Sequence, residues 1–246
     1  MIGATIVGLP ILGALACVLV VYAGAVMQAA TGVGVGILSS PVLLLVDPDF
    51  IPAAVVVSVL PLSFSVAIAD RTHIDRRGVT AALIGRVPGL VLGAVVVAAI
   101  SDDVLAILVS TTVLLGVAVS ITTKRFTPTT PALVLAGFGS GFTGTAVGVG
   151  GPPIAMTYQH SDPVTMRATI SFFFSVGSVL TAIALVIAGE LGRRQLELVA
   201  LLLPSILLGL ATARRYKSQL VGSGVRPVVL GLSAFSAVAL LVRTLV

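Results

Sequence analysis

Apolar runs near 20 residues long recur along the chain, separated by short polar punctuation such as DRTHIDRRG (Asp70 to Gly78). A run of that length crosses a hydrocarbon core of roughly 30 Å as a helix. The pattern predicts ten apolar segments, at roughly 5–29, 33–46, 50–69, 79–100, 103–122, 131–146, 151–160, 164–188, 195–213 and 225–245. Eight are long enough to span. The second and seventh are short, and each follows a glycine cluster directly. The second cluster lies in GFGSGFTGTAVGVGGPPIAMTY (Gly137 to Tyr158), with seven glycines, two prolines and no charge. Helices disfavour both residue types in their interiors, so this is a helix broken by its own sequence.

The breaks repeat. TGVGVGILSSP (Thr31 to Pro41) answers TAVGVGGPPIA (Thr145 to Ala155) at an offset of 114 residues. Farther on, Pro88 and Gly93 answer Pro204 and Gly209 at an offset of 116. The order of long and short segments repeats as well. The expected fold is an all-α polytopic membrane protein of two homologous halves, 1–123 and 124–246, each with a short broken helix after a glycine-rich loop. Five crossings or reversals per half invert the second half relative to the first, which is a transporter architecture with its site at the midplane.

Composition excludes a soluble domain. Of 246 residues, 57% are hydrophobic and 9% charged, against about 25% charged in soluble domains; mean hydropathy is +1.19. The net charge of +5 does not imply nucleic acid, because the basic residues sit in short loops. Loop charge orients the chain. With Arg71, Arg76 and Arg77 cytoplasmic, Lys124, Arg125, Arg167, Arg214, Arg215, Lys217 and Arg226 fall on the same side. Arg193, Arg194 and Arg243 fall on the far side, with Asp47, Asp49, Asp102, Asp103, Glu190 and Glu197. Cys17 is alone, so there is no internal disulfide, and it reads as a small core residue. The first segment lacks a basic n-region and reads as a retained helix.

The chemistry of the breaks points to an anion. A helix start has N–H groups without partners and about half a positive charge, and glycine lets an oxyanion approach the backbone. Gly34, Gly36, Gly148, Gly150 and Gly151 are expected to give that access, with Pro152 at a helix start where proline is tolerated. Gln28, Thr31, Ser39, Ser40, Thr143 and Thr145 can hydrogen-bond the oxygens. Close packing of helices is the competing reading of glycine motifs, and its duplication beside short segments favours a site. Arg86 lies about two turns into the fourth segment. Its position favours snorkelling to the cytoplasmic surface; the alternative is a gate or substrate contact. Arg167 reads as a cytoplasmic anchor, with an entry path as the alternative, and Asp70 as a helix cap near Arg71. His73 and His160 have no partners at ligand spacing, so no metal is expected. No HExxH, GxSxG, Walker loop or GxGxxG appears, so neither an enzyme nor a cofactor is expected.

ATGVGVGILSSPVLLL (Ala30 to Leu45), GTAVGVGGPPIAM (Gly144 to Met156) and the duplicated segment order resemble the sulfite exporter TauE/SafE family over nearly the whole chain. The resemblance implies a permease for sulfite, thiosulfate or an organosulfonate. In the first half the chain departs from the family pattern of adjacent glycines, reading Gly34-Val35-Gly36 with the proline delayed to Pro41. The expected protein is a multi-pass secondary transporter of the cytoplasmic membrane, carrying a small sulfur-containing anion by alternating access around paired helix N-termini. An anion channel and a transporter of an unrelated solute are the alternatives. A coupling ion, H+ or Na+, and a homo-oligomer stay open.

Overall fold

The computed structural model describes residues 5–120, 128–216 and 225–245. Lys124, Arg125, Lys217, the side chain of Arg226 and the 123/124 boundary, all used in the sequence reading, lie outside the described residues. Among the described residues there are ten α-helices: α1 (Ile11–Thr31), α2 (Val35–Val46), α3 (Ala53–Ala69), α4 (Arg76–Val97), α5 (Asp102–Ser120), α6 (Thr130–Ala146), α7 (Gly151–Tyr158), α8 (Pro163–Ala188), α9 (Arg193–Arg215) and α10 (Val225–Leu245). The first segment is corrected at its start. Residues Thr5–Ile6 and Leu9–Pro10 form a two-stranded hairpin, turned by Val7 and Gly8 at positive φ, and α1 begins after Pro10.

The chain is a polytopic, all-α membrane protein. Six of the eight long segments make helices long and apolar enough to cross a membrane: Ile11–Thr31, Pro48–Ala69, Arg76–Val97, Asp102–Ser120, Pro163–Ala188 and Arg193–Arg215. The other two of the eight predicted long segments are α6 and α10. Helix α6 stops at 17 residues, four of them glycine, which lowers its hydropathy; in α10 (Val225–Leu245) the side chains described are those of Leu230–Leu245. Leu12, Leu135 and Ile187 stand more than two thirds exposed, as a lipid-facing surface requires. The span containing α3 is the most buried of the six.

Helix α4 packs on α6 and α1 on α9; α3 packs on α8 and α5 on α10; α3 also meets α9, and α8 meets α4. These pairings exchange into one another when α1 to α5 are relabelled α6 to α10. The α4–α6 contact is backbone to backbone. A Cβ on Gly85 would overlap the Val134 carbonyl, one on Gly89 the Phe138 carbonyl, one on Gly137 the Ala82 carbonyl and one on Gly141 the Arg86 carbonyl. Small residues four apart allow that approach, so these glycines serve packing. The α1–α9 seam has Gly209 against Ala25 and a Tyr22–Thr212 hydroxyl pair at 3.0 Å.

The short helices turn back. Arg194 at the start of α9 donates to both Val7 O, before α1, and Asp47 Oδ2, after α2. The ends of the α1–α2 hairpin therefore share one face. Helix α7 ends on the opposite face, where the Tyr158 hydroxyl donates to Asp75 Oδ2 at 2.9 Å. Asp47 and Asp75 lie beyond opposite ends of the α3 span.

Candidate functional site

At the first break, α1 ends on Gly32 at φ 90°, where only glycine is unstrained. Thr31 Oγ1 lies 3.0 Å from Met27 O and 2.8 Å from Val33 O, pinning the turn. Helix α2 then starts at Val35, whose N–H donates to Gln28 Oε1 at 3.0 Å. Leu38 N–H makes the first helical bond, to Gly34 O. The Gly36 and Ile37 N–H groups belong to the unpaired first turn, and both residues line a cavity. At the second break, Val147 and Val149 N–H both donate to Thr143 O, at 3.0 and 3.2 Å. Gly148 stands at φ 71°, and Ser140 Oγ donates to Gly150 O at 2.6 Å.

The breaks meet. A Cβ on Gly36 would overlap the Gly148 carbonyl, and one on Gly151 would overlap Val33 Cγ1. Around this contact lies a cavity of about 50 Å³. One water needs only ~10–15 Å³ on that basis, so the space suits a small oxyanion with little else. Its walls combine both breaks with Gln28, Arg86, Ser178, Phe174 and the valines of α3. Arg86 is ten residues into α4, about 15 Å from the helix start.

Arg86 decides the character of the cavity. It is 2% exposed, so the snorkelling reading is wrong. Helix α4 begins at Arg76, three residues before the first apolar residue Val79, which puts Arg86 nearly three turns deep. Its Nη1 donates to Ser140 Oγ and its Nη2 to Thr181 Oγ1, both at 3.3 Å, while Nε is buried without a partner. The guanidinium carbon lies 4.8 Å from the Phe173 ring centroid and 6.0 Å from that of Phe174. All nine carboxylates of the sequence fall among the described residues, and none pairs with Arg86. A guanidinium does not deprotonate in proteins. The protein thus holds a permanent cation in its interior with only hydroxyls and aromatic faces around it, a costly arrangement unless an anion completes it.

Of the residues singled out from sequence, Gln28, Gly34, Gly36, Gly148, Gly150, Gly151 and Arg86 come together on this lining. Thr31, Ser39, Ser40, Thr143, Thr145 and Pro152 do not line it. Thr31 holds its own turn, Ser39 Oγ donates to Val20 O and Thr143 Oγ1 to Gly139 O. Thr145 Oγ1 lies 3.1 Å from Thr181 Oγ1, one step behind Arg86. Ser40 Oγ is buried without a partner, 3.6 Å from where a Gly148 Cβ would stand. Pro152 changes the symmetric picture of two helix starts. It and Pro153 occupy the first turn of α7 and carry no N–H, so α7 offers fewer donors than α2. Sequence reasoning missed Ser140, Thr181, Ser178, Phe173 and Phe174. The Phe172-Phe173-Phe174 run was a usable signal in a chain with only 5% aromatic residues.

Two ion-pair clusters stand on opposite sides of this cavity. Arg167 is 3% exposed and donates to Asp70 Oδ2 from Nε at 2.7 Å. The reading of Arg167 as a cytoplasmic anchor is therefore corrected, whereas Asp70 does end α3 beside Arg71, its N–H donating to Val66 O at 3.0 Å; the pair ties the end of α3 to the start of α8. Across the membrane, Arg194 pairs with Asp47 at 2.5 Å and Asp49 at 3.5 Å. No group of three or more metal-ligating side chains occurs among the described residues.

A protein-family model described as sulfite exporter TauE/SafE matches residues 16–240. No curated protein and no solved structure matches.

Proposed function

The chain belongs to the sulfite exporter TauE/SafE family, a family of membrane permeases rather than enzymes, and from that premise we propose that it carries a small sulfur oxyanion, sulfite or thiosulfate, through the cavity at Arg86. The observation that carries this reading is the buried guanidinium without a carboxylate partner beside two broken helices. The lining includes Arg86, the Gln28 amide and, at the start of α2, Gly36 and Ile37, whose N–H groups lie in the unpaired first turn, and no carboxylate. It therefore favours anions that need donors and present no proton of their own. The cavity volume favours a small inorganic oxyanion over a larger organosulfonate.

The transport cycle follows from the two ion-pair clusters. The halves 1–123 and 124–246 act as inverted repeats, a reading supported by the exchangeable helix pairings and by the opposite faces from which the two helix hairpins enter. Asp70–Arg167 and Asp47–Arg194 each join one half to the other, on opposite sides of the cavity. Opening to one side breaks one cluster while the other holds, which favours a carrier over an open channel. An inside-negative potential drives anion export at about 2.3 kcal/mol per charge per 100 mV, so export from the cytoplasm needs no coupling ion. The localisation that fits is the cytoplasmic membrane.

Counterflow in proteoliposomes tests this. Vesicles loaded with unlabelled sulfite should accumulate external labelled sulfite transiently, and thiosulfate should compete. Unitary currents in a planar bilayer without counterflow would replace the carrier by a channel. Counterflow of a different solute, with indifference to sulfur anions, would remove the substrate assignment.

A further inference from the structure

A groove of about 680 Å³, more than ten times the central cavity, runs between the ends of α3 and α4 and the side of α8. Its wall is apolar, with Phe64 and Ile68 of α3, both exposed, facing Phe172 and Val176 of α8. At its mouth stand Arg71 and Arg76. Both are exposed and neither has an ion-pair partner among the described residues. The carboxylates next to them in sequence face elsewhere: Asp70 is held by Arg167, and Asp75 takes the Tyr158 hydroxyl and the Gly78 N–H. The loop's acids are thus engaged inward, and its guanidiniums are left at the membrane edge.

We propose that this groove is a specific site for an anionic phospholipid of the inner leaflet. Its phosphate is bridged by Arg71 and Arg76, and one acyl chain lies along Phe64, Ile68, Phe172 and Val176. Phe64 lies five residues before the end of α3 at Ala69, about 7.5 Å of helix rise, so the apolar wall runs from the headgroup level into the hydrocarbon. Basic pockets between transmembrane helices on the cytoplasmic side take anionic headgroups through this chemistry, and guanidinium matches phosphate with paired N–H groups. The site is distinct from the Arg86 cavity, since the two share no lining residue. Occupancy joins α3 to α8, the two helices that the Asp70–Arg167 pair also joins.

The test uses the full chain, purified in detergent and stripped of lipid, melted with added phosphatidylglycerol or phosphatidylcholine of the same chain length. Phosphatidylglycerol at about a hundredfold excess over its Kd should raise the melting temperature by roughly 5 °C or more, and phosphatidylcholine should not. The Arg71→Gln/Arg76→Gln double variant should lose the shift and keep its stabilisation by sulfite. Arg77→Gln, one exposed arginine away and off the groove, should keep both. Equal shifts from the two lipids, or a phosphatidylglycerol shift surviving in the double variant, would overturn the proposal. A change of particle mass in the double variant would assign the groove to a second copy instead. If sulfite stabilises no variant while the lipid result holds, the transport reading fails and the lipid site stands.

Discussion

The two broken helices share a backbone plan and differ in what surrounds it. The first is held by an amide: Gln28 takes the Val35 N–H, and Thr31 clamps the turn. The second is held by Ser140, which donates to Gly150 O and accepts from Arg86. The first helix start keeps backbone donors at Gly36 and Ile37, whereas the second spends two of its first positions on prolines. Arg86 itself belongs to the first half, yet it lies against the second break through the glycine seam of α4 and α6. At the matching position of the second half, offset by 116 residues, stands Leu202, buried and apolar. The two breaks together make the space, and Arg86 alone sets its charge. A symmetric pair of helix dipoles is the weaker source of positive potential here.

The largest expected effect comes from removing that asymmetry. Arg86→Met should weaken sulfite binding more than a hundredfold, since losing one partner of a buried charge pair costs about 3–5 kcal/mol. The same variant should melt no lower than wild type without anion, because it removes an uncompensated buried cation. Titration calorimetry and a thermal melt on one preparation check both. If affinity holds, the helix starts alone carry the site.

Gly36→Ala attacks the contact between the breaks. Its new methyl overlaps the Gly148 carbonyl, so the halves must part there at a cost of about 1–3 kcal/mol. A lower melting temperature with reduced sulfite binding is expected, and unchanged stability would mean that the breaks do not touch. Ser140→Ala probes the second break alone. It leaves Gly150 O without that donor and frees one end of Arg86, for a loss of about 1 kcal/mol and roughly fivefold in affinity. Equal loss from Ser140→Ala and Arg86→Met would make the hydroxyl, not the charge, the governing group. Thr143→Ala should change affinity least, by less than about threefold, because its hydroxyl is committed to Gly139 O. A large loss there, read in the same binding assay, would restore the hydroxyl ring expected from sequence.

Backbone features were the legible part of the site. Glycine and proline are chosen for conformation and contact, so Gly34, Gly36, Gly148, Gly150 and Gly151 marked the breaks without any structure. Hydroxyls misled, because serine and threonine in apolar helices satisfy themselves on carbonyls four residues back, as Thr143 and Ser175 do. Depth misled at Arg86, because polar residues at Arg76 and Arg77 already belong to α4. The partnership of Asp70 with Arg167 spans 97 positions and leaves no local trace. The α4–α6 glycines show the other limit. Gly137 and Gly141 belong to the same quoted stretch as Gly148 and Gly150, yet they serve packing, and only the facing helix distinguishes the two uses.

The measurement that bears most directly on the central claim is the melting temperature of wild type and Arg86→Met in matched ionic strength with sulfite, thiosulfate, sulfate, sulfoacetate, phosphate or chloride. At about a hundred times its Kd a ligand stabilises the native state by roughly 2.7 kcal/mol. The account predicts a rise for wild type with the small sulfur oxyanions sulfite, thiosulfate and sulfate, smaller rises with bulkier sulfoacetate, protonated phosphate and singly charged chloride, and none for Arg86→Met. An equal rise in both proteins, or no rise with any sulfur anion in protein that melts cooperatively, would contradict it.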